Sequence, residues 1–275
     1  MSLAAITTLH RQLQEWSGRP ANRKFLQQDQ EAQVRNSLGL PTRRPQLHVA
    51  AWMLGTWHLG HGLHAVLEGE VAGFDEARLG QGLRRTALLL REQGQPSAPR
   101  RRGSPQRLPF SRLHGAWTAL LGLCLEDPGA EPLYDLLQHE PEASFADDEP
   151  LPLFVRELLT VRAGERPTVT PRLGPYQDVL MHWQSDGRVL AQRLADLLDL
   201  HLTSVRGPGA WFDDPACWVL PVEVLAVKHV RQWLGLPMPK VDHPLLHGNL
   251  ITMQPSRGWP DHELLARVEA ELRRR

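Results

Sequence analysis

Cysteine and strand-forming residues are what this chain has little of. Cys124 and Cys217 are its only cysteines. Two thiols at that separation make no CxxC zinc pair and no disulfide framework, and a reducing, cytosolic setting is the expectation. Tyr and Phe number two and six in 275 residues. Val and Ile are few beside Leu, and no convincing run alternates apolar with polar residues, which argues against sheet. Net charge is absent as well: 31 basic residues balance 31 acidic ones, so the chain carries no global footprint for nucleic acid or an anionic membrane. It has no P-loop, no GxGxxG following a strand and no GxSxG elbow, the loops that cradle phosphate or raise a nucleophile.

What is present is leucine at helical spacing. The expectation is an all-α, multi-helix globular array of about 9–11 helices with no significant sheet. A chain of this length buries roughly three quarters of its unfolded surface without help from metal or disulfides. It reads as a single helical domain over 1–275. The polar loop "GQPSAPRRRGSPQRLPF", 94–110, is either a mobile hairpin or the joint between two helical halves. Helices are predicted at 3–17, 24–37, 47–69, 74–93, 111–127, 130–140 and 151–165. Further ones are predicted at 176–202, with room for a bend at Gly187, and at 217–235, with Pro221 in the first turn. A last helix is capped by Asp261. The predicted core stripes include Leu79, Leu83, Thr86, Ala87 and Leu90, then Leu190, Leu194, Leu197 and Leu198, and finally Leu264, Leu265, Val268 and Leu272. The N-terminus turns polar by His10 and does not read as a signal peptide. Residues 45–67 hold no Asp, Glu, Lys or Arg over 23 residues, long enough to span a bilayer. Four histidines and several glycines make this segment a buried helix of a protein outside the membrane.

That segment runs into "WHLGHGLHAVLEGE", 57–70. A helical wheel places Val49, Trp52, Met53, Thr56, Gly60, Leu63 and Leu67 on one core stripe. Gly60 is the point where a neighbouring backbone would approach. His58, His61 and His64 form an inclined row on the shoulder of that stripe. Two imidazoles and a carboxylate are legitimate metal ligands, so a metal-dependent helical enzyme using His61, His64 and Glu68 is one reading. The spacing opposes it: helical metal pairs use i and i+4, as in HExxH, and these histidines are three apart. No metal and no cofactor is the expectation. A flank that packs or touches a partner fits better.

Other candidate chemistry is no stronger. His182, Ser185 and Asp186 lie close in sequence without an elbow. Cys124 reads as an inert core thiol. Cys217 precedes a helix whose N-terminus lowers a thiol pKa, but it has no His or Asn context. Arg100, Arg101, Arg102 and Arg107 read as a solvated loop. Surfaces remain. Asp147, Asp148 and Glu149 in "FADDEP", and Asp213 and Asp214 in "WFDDPACW" with Trp211, Phe212 and Trp218 alongside, join charge to aromatics as interaction hot spots do. The alternative reading is solvated turns, with Asp213 or Asp214 capping at Pro215.

The stretch "CWVLPVEVLAVKHVRQWLGLPMPKVDHPLLHGNLI", 217–251, resembles the ending of bacterial all-helical immunity proteins of polymorphic toxin systems, the immunity-49-like group. A Pro-containing apolar helix ends at Gly235, a short link follows, and Asp242-His243-Pro244-Leu245-Leu246 leads to a last apolar "NLI". His247 departs from the pattern, standing where Pro is expected. The resemblance implies a cytoplasmic protein without catalysis that binds and neutralises a cognate secreted toxin, with no nucleic acid or membrane contact of its own. A nuclease, with its basic groove, is one candidate target for acidic loops. A helical scaffold or regulatory binding domain is the remaining alternative.

Overall fold

The computed structural model describes residues 3–38, 46–94, 112–141, 145, 150–185, 187–205, 212–253 and 258–274. Among them every regular element is helical and none is a strand. The helices are α1 (Leu3–Gly18), α2 (Pro20–Asn22), α3 (Asp29–Ser37), α4 (Leu47–Leu67), α5 (Gly73–Gly94), α6 (Arg112–Cys124), α7 (Glu131–Gln138), α8 (Pro150–Arg162), α9 (Gln177–Met181), α10 (Gly187–Ser204), α11 (Val222–Trp233), α12 (Asn249–Thr252) and α13 (Glu263–Arg273). Ten of these are eight residues or longer. A π-helical turn, Arg23–Gln28, links α2 to α3. The main apolar cluster runs from Ile6 to Leu250, and a second joins Val34 and Leu38 to Leu264, Leu265 and Val268. Residues on both sides of the 94–110 segment therefore share each cluster.

The frame is the α4–α5 pair. Its turn closes with Gly69 at φ +96° and a bond from Glu70 N to Ala65 O, the left-handed ending that glycine permits. The two helices then run antiparallel with backbones touching. A Cβ on Gly55 would lie 2.7 Å from Gly80 O, and one on Gly62 would lie 2.5 Å from Gly73 O. The glycine pairs 55/80 and 62/73 are thus the helix–helix contact.

The predicted α4 stripe is right at Gly60 and Leu63, which are buried, and misplaced at Val49. Val49 is 47% exposed, while Ala50, Ala51, Leu54, Leu59, Leu63 and Val66 are buried. The wheel followed bulky residues, whereas the tightest contact is made by small ones. Gly60 does meet a close neighbour, but it is the ring of Trp16, 2.5 Å from a hypothetical Cβ, and not a backbone.

α5 is enclosed on all sides: Ala77 to Leu88 are buried without a break. The predicted stripe of Leu79, Leu83, Thr86, Ala87 and Leu90 is buried too. Gly82 receives the Leu265 side chain of α13.

The predicted 176–202 helix is two helices, α9 and α10, divided by a turn at His182–Ser185, with α10 opening at Gly187. Leu190, Leu194, Leu197 and Leu198 are buried as expected. Pro221 lies outside α11 as its N-cap (ψ +72°) rather than in its first turn, because a 3-10 turn, Pro215–Cys217, takes up the preceding chain. Asp261 does not cap α13. His262 occupies that position without a side-chain bond. No helix among the described residues is long and apolar enough to cross a membrane.

Candidate partner-binding site

The histidine shoulder is organised by a residue outside the predicted set. Glu76 of α5 accepts from His58 Nδ1 (3.1 Å) and from His61 Nδ1 (2.9 Å). His64 turns the other way, 3.1 Å from Ser17 Oγ and 3.7 Å from Glu68. His61, His64 and Glu68 are therefore not brought to one point. Among the described residues no group of three or more His, Cys, Asp or Glu is placed to hold a metal. Burial works against the Glu76 carboxylate, but the bonds from His58 and His61 and their charge outweigh it and hold its pKa at about 2. The bond to Glu76 raises His61 against its own burial. Desolvation lowers His64.

The signs of these shifts make a prediction. The lowered Glu76 stabilises the fold above its ordinary value of 4.5, and that stability is lost as pH falls towards 2. The raised His61 stabilises it below 6.5, and that stability is lost as pH rises through the folded pKa. Between 4.5 and 6.5 both contributions are present. Melting temperature measured against pH should fall less steeply on either side of this window in Glu76→Gln than in the native protein. Parallel profiles would refute the assignment.

Of the proposed toxin-binding residues, Asp147, Asp148, Glu149 and Trp211 lie outside the described residues. Asp213 is exposed. Phe212 and Asp214 are corrections. Phe212 is 0% exposed and packs on the His201 ring at 4.5 Å. Asp214 is buried, accepts from Ala216 N at 3.0 Å and sits 2.8 Å from Arg84 Nη1. It is the cap that the Pro215 reading allowed, and the same carboxylate neutralises a core arginine, so both side chains are buried in the core rather than offered on the surface. Cys217 is buried and its thiol is pushed well up, chiefly by desolvation. The Cys124 thiol is raised for the same reason. His182 Nδ1 lies 3.2 Å from Ser185 Oγ, and Asp186 is outside the described residues, as are Arg100, Arg101, Arg102 and Arg107.

Sequence reasoning missed a surface where α6, α7, α8 and α11 meet. The turn that follows α6 has Glu126 at φ +56°, the one non-glycine residue with positive φ among the described residues. The bond from Asp127 N to Gly122 O (2.9 Å) closes a glycine-type helix ending without the glycine. A side chain there costs about 1 kcal/mol or more. The signal in the sequence is "LCLEDPG", a helix end whose glycine comes three residues late. Glu126 reaches into solvent and stands 3.7 Å from His229, whose pKa burial lowers against the pull of Glu126.

Beside it lies a surface pocket of about 410 Å³ lined by Glu126, Glu131, Tyr134, Arg162, His229 and Trp233, among others. The Arg162 guanidinium lies over both rings, 5.0 Å from Tyr134 and 4.9 Å from Trp233. Its Nη1 donates to Glu131 Oε2 at 3.0 Å. Trp233 remains 71% exposed. Asp127, beneath, accepts from Gly129 N and pairs with Arg85 at 3.1 Å, which ties the pocket floor to α5. Burial raises the Asp127 pKa against these partners. The arrangement can accept a cationic or aromatic side chain against Trp233, with two solvent-facing carboxylates at hand.

No family model, curated protein or solved structure matches the chain.

Proposed function

We propose that the protein is a helical binding protein that captures a partner protein at the Trp233 pocket. Following the resemblance over 217–251, the partner is a cognate secreted bacterial toxin, neutralised in the cytoplasm by occupancy rather than by chemistry. The observation that carries the binding reading is Trp233 itself. A tryptophan 71% exposed with the Arg162 guanidinium 4.9 Å from its ring has the composition of an interface hot spot. Glu126, Glu131 and Trp233 together offer an acidic-aromatic surface. Such a rim complements a basic partner and speeds its capture. The residues that carry the resemblance fit a supporting role: Leu225, Ala226, Leu245 and Leu250 are buried, and Gly235 adopts φ +68° to end α11.

The test is co-expression with a toxin encoded beside the gene, together with calorimetry on the purified pair. Trp233→Ala should weaken binding by at least about 2 kcal/mol, roughly 30-fold, and reduce protection without changing the fold. Reversing Asp213, or Asp147, Asp148 and Glu149 together, should change affinity less than threefold. The opposite pattern would move the interface to the acidic loops, and failure to protect against any adjacent toxin would end the immunity reading.

A further inference from the structure

The charges around the Trp233 pocket do not cancel. Arg162 and Glu131 neutralise each other, since one guanidinium donates to both oxygens of that carboxylate. The N-terminus of α7, at Glu131, and the C-terminus of α8, at Arg162, meet there and offset each other as well. Asp127 is neutralised by Arg85. Glu126 is left over. Its ion-pair partner among the described residues is His229, at 3.7 Å, and burial, aided by the charge of Lys228, lowers that imidazole below its ordinary value. His229 is therefore neutral at neutral pH and offers Glu126 no full charge. The C-terminal end of α6 beside it adds partial negative charge, and α6 has no basic residue in its last turn to offset that. Glu126 also keeps a side chain where the backbone favours glycine, and among the described residues its carboxylate makes no hydrogen bond in return. On the opposing wall, Arg162 stands over one side of the Trp233 ring, and 71% exposure leaves the other side in solvent.

We propose that the pocket recognises an arginine side chain of the captured partner, with its guanidinium on the open side of Trp233 and paired with the Glu126 carboxylate. This rests on the pocket being the capture site, and it narrows a basic partner to one side chain. A guanidinium is planar, weakly hydrated and always charged, so it can lie on a ring while two of its N–H groups meet a carboxylate. An ammonium cannot do both. Arg162 does not repel the guest, because Glu131 already neutralises it. The strained backbone at Glu126 is then retained for binding: glycine would relax the turn and remove the carboxylate.

Titration of the full chain with N-acetyl-arginine amide tests this, followed by NMR on the Trp233 indole N–H, whose signal is assigned by its loss in Trp233→Phe. The signal should shift saturably in the millimolar range. The uncharged isostere N-acetyl-citrulline amide should bind about tenfold more weakly, and N-acetyl-glutamate amide should cause no shift. Glu126→Gln should lower the arginine affinity about tenfold and erase its advantage over citrulline. Glu126→Gly should lose the same affinity while its urea midpoint rises. No saturable shift, equal affinity for arginine and citrulline, preference for the glutamate probe, or unchanged affinity in Glu126→Gln would each overturn the proposal. A lower urea midpoint in Glu126→Gly would show that Glu126 serves the fold and would overturn its role in binding. If Trp233→Ala weakens toxin capture but the arginine probe does not bind, the capture reading stands and this inference alone falls. If the probe binds with the expected selectivity and Trp233→Ala leaves capture intact, the capture reading falls and the arginine site stands.

Discussion

Asp214→Ala should cost about 3–5 kcal/mol of folding stability, read as a lower midpoint in urea denaturation. Arg84 is 0% exposed at the centre of the enclosed helix α5. Its guanidinium has the Trp52 ring 4.0 Å from it and the Asp214 carboxylate 2.8 Å away. Removing one member of a buried ion pair leaves the other charged with no return of its hydration, which is why the loss exceeds what the pair itself contributes. Part of the effect is a cap, since Asp214 Oδ1 also accepts from Ala216 N. Asp214→Asn keeps an acceptor at that position and removes the charge. The difference between the two variants isolates the cap, expected at about 1 kcal/mol. The double variant Arg84→Met with Asp214→Asn should recover most of the loss, because buried ion pairs replaced whole by uncharged residues are often neutral. A double variant as damaged as Asp214→Ala would show that packing around Arg84, and not its charge, sets the cost. Burial and the charge of Arg84 lower His114, which packs on Trp52, to about 4, so the arginine is felt beyond its direct partner.

This pair also marks the limit of what the chain discloses from its sequence. Helix class and most helix positions follow from periodic leucines, as at Leu190, Leu194, Leu197 and Leu198 in α10. Periodicity reports which residues are apolar, and α5 is buried on its polar side as well. Arg78, Arg84 and Arg85 fall outside the leucine stripe, yet all three are buried, each reconciled with the core by a distant residue. Arg85 meets Asp127 of the α6–α7 turn and Glu269 of α13, the latter 184 residues away. The acidic pair "DD" at 213–214 fails for a related reason. Adjacent loop residues point in opposite directions, so one remains in solvent and the other enters the core, and composition cannot assign which. The Trp233 pocket was illegible because its parts lie in the α6–α7 turn, α7, α8 and α11. Only Glu126, standing where a helix ending favours glycine, left a local trace.

The same logic of close approach gives the second large effect, at the glycines of the α4–α5 pair. Intrinsic helix propensity alone favours alanine over glycine by about 1 kcal/mol. At Gly18, at the end of α1, a Cβ meets nothing within 4 Å, and Gly18→Ala should be neutral or slightly stabilising. Gly62→Ala places its Cβ 2.5 Å from Gly73 O and 2.6 Å from Ala77 N. Both are backbone atoms inside a helix and cannot rotate away as a side-chain tip can. The helices must separate, which loosens the contacts of Leu59, Leu63 and Val66 with the core. We expect Gly62→Ala and Gly80→Ala each to lose about 3 kcal/mol, the upper part of the range for overpacking. The sign is opposite to propensity, which makes the measurement discriminating. Gly82→Ala separates the two kinds of neighbour. Its Cβ would lie 2.6 Å from Leu265 Cδ2, the end of a side chain that can change rotamer, so its cost should stay near 1 kcal/mol. If Gly62→Ala and Gly82→Ala proved equally mild, the α4–α5 backbones could not be in contact, and the frame on which α5 buries its arginines would have to be redrawn.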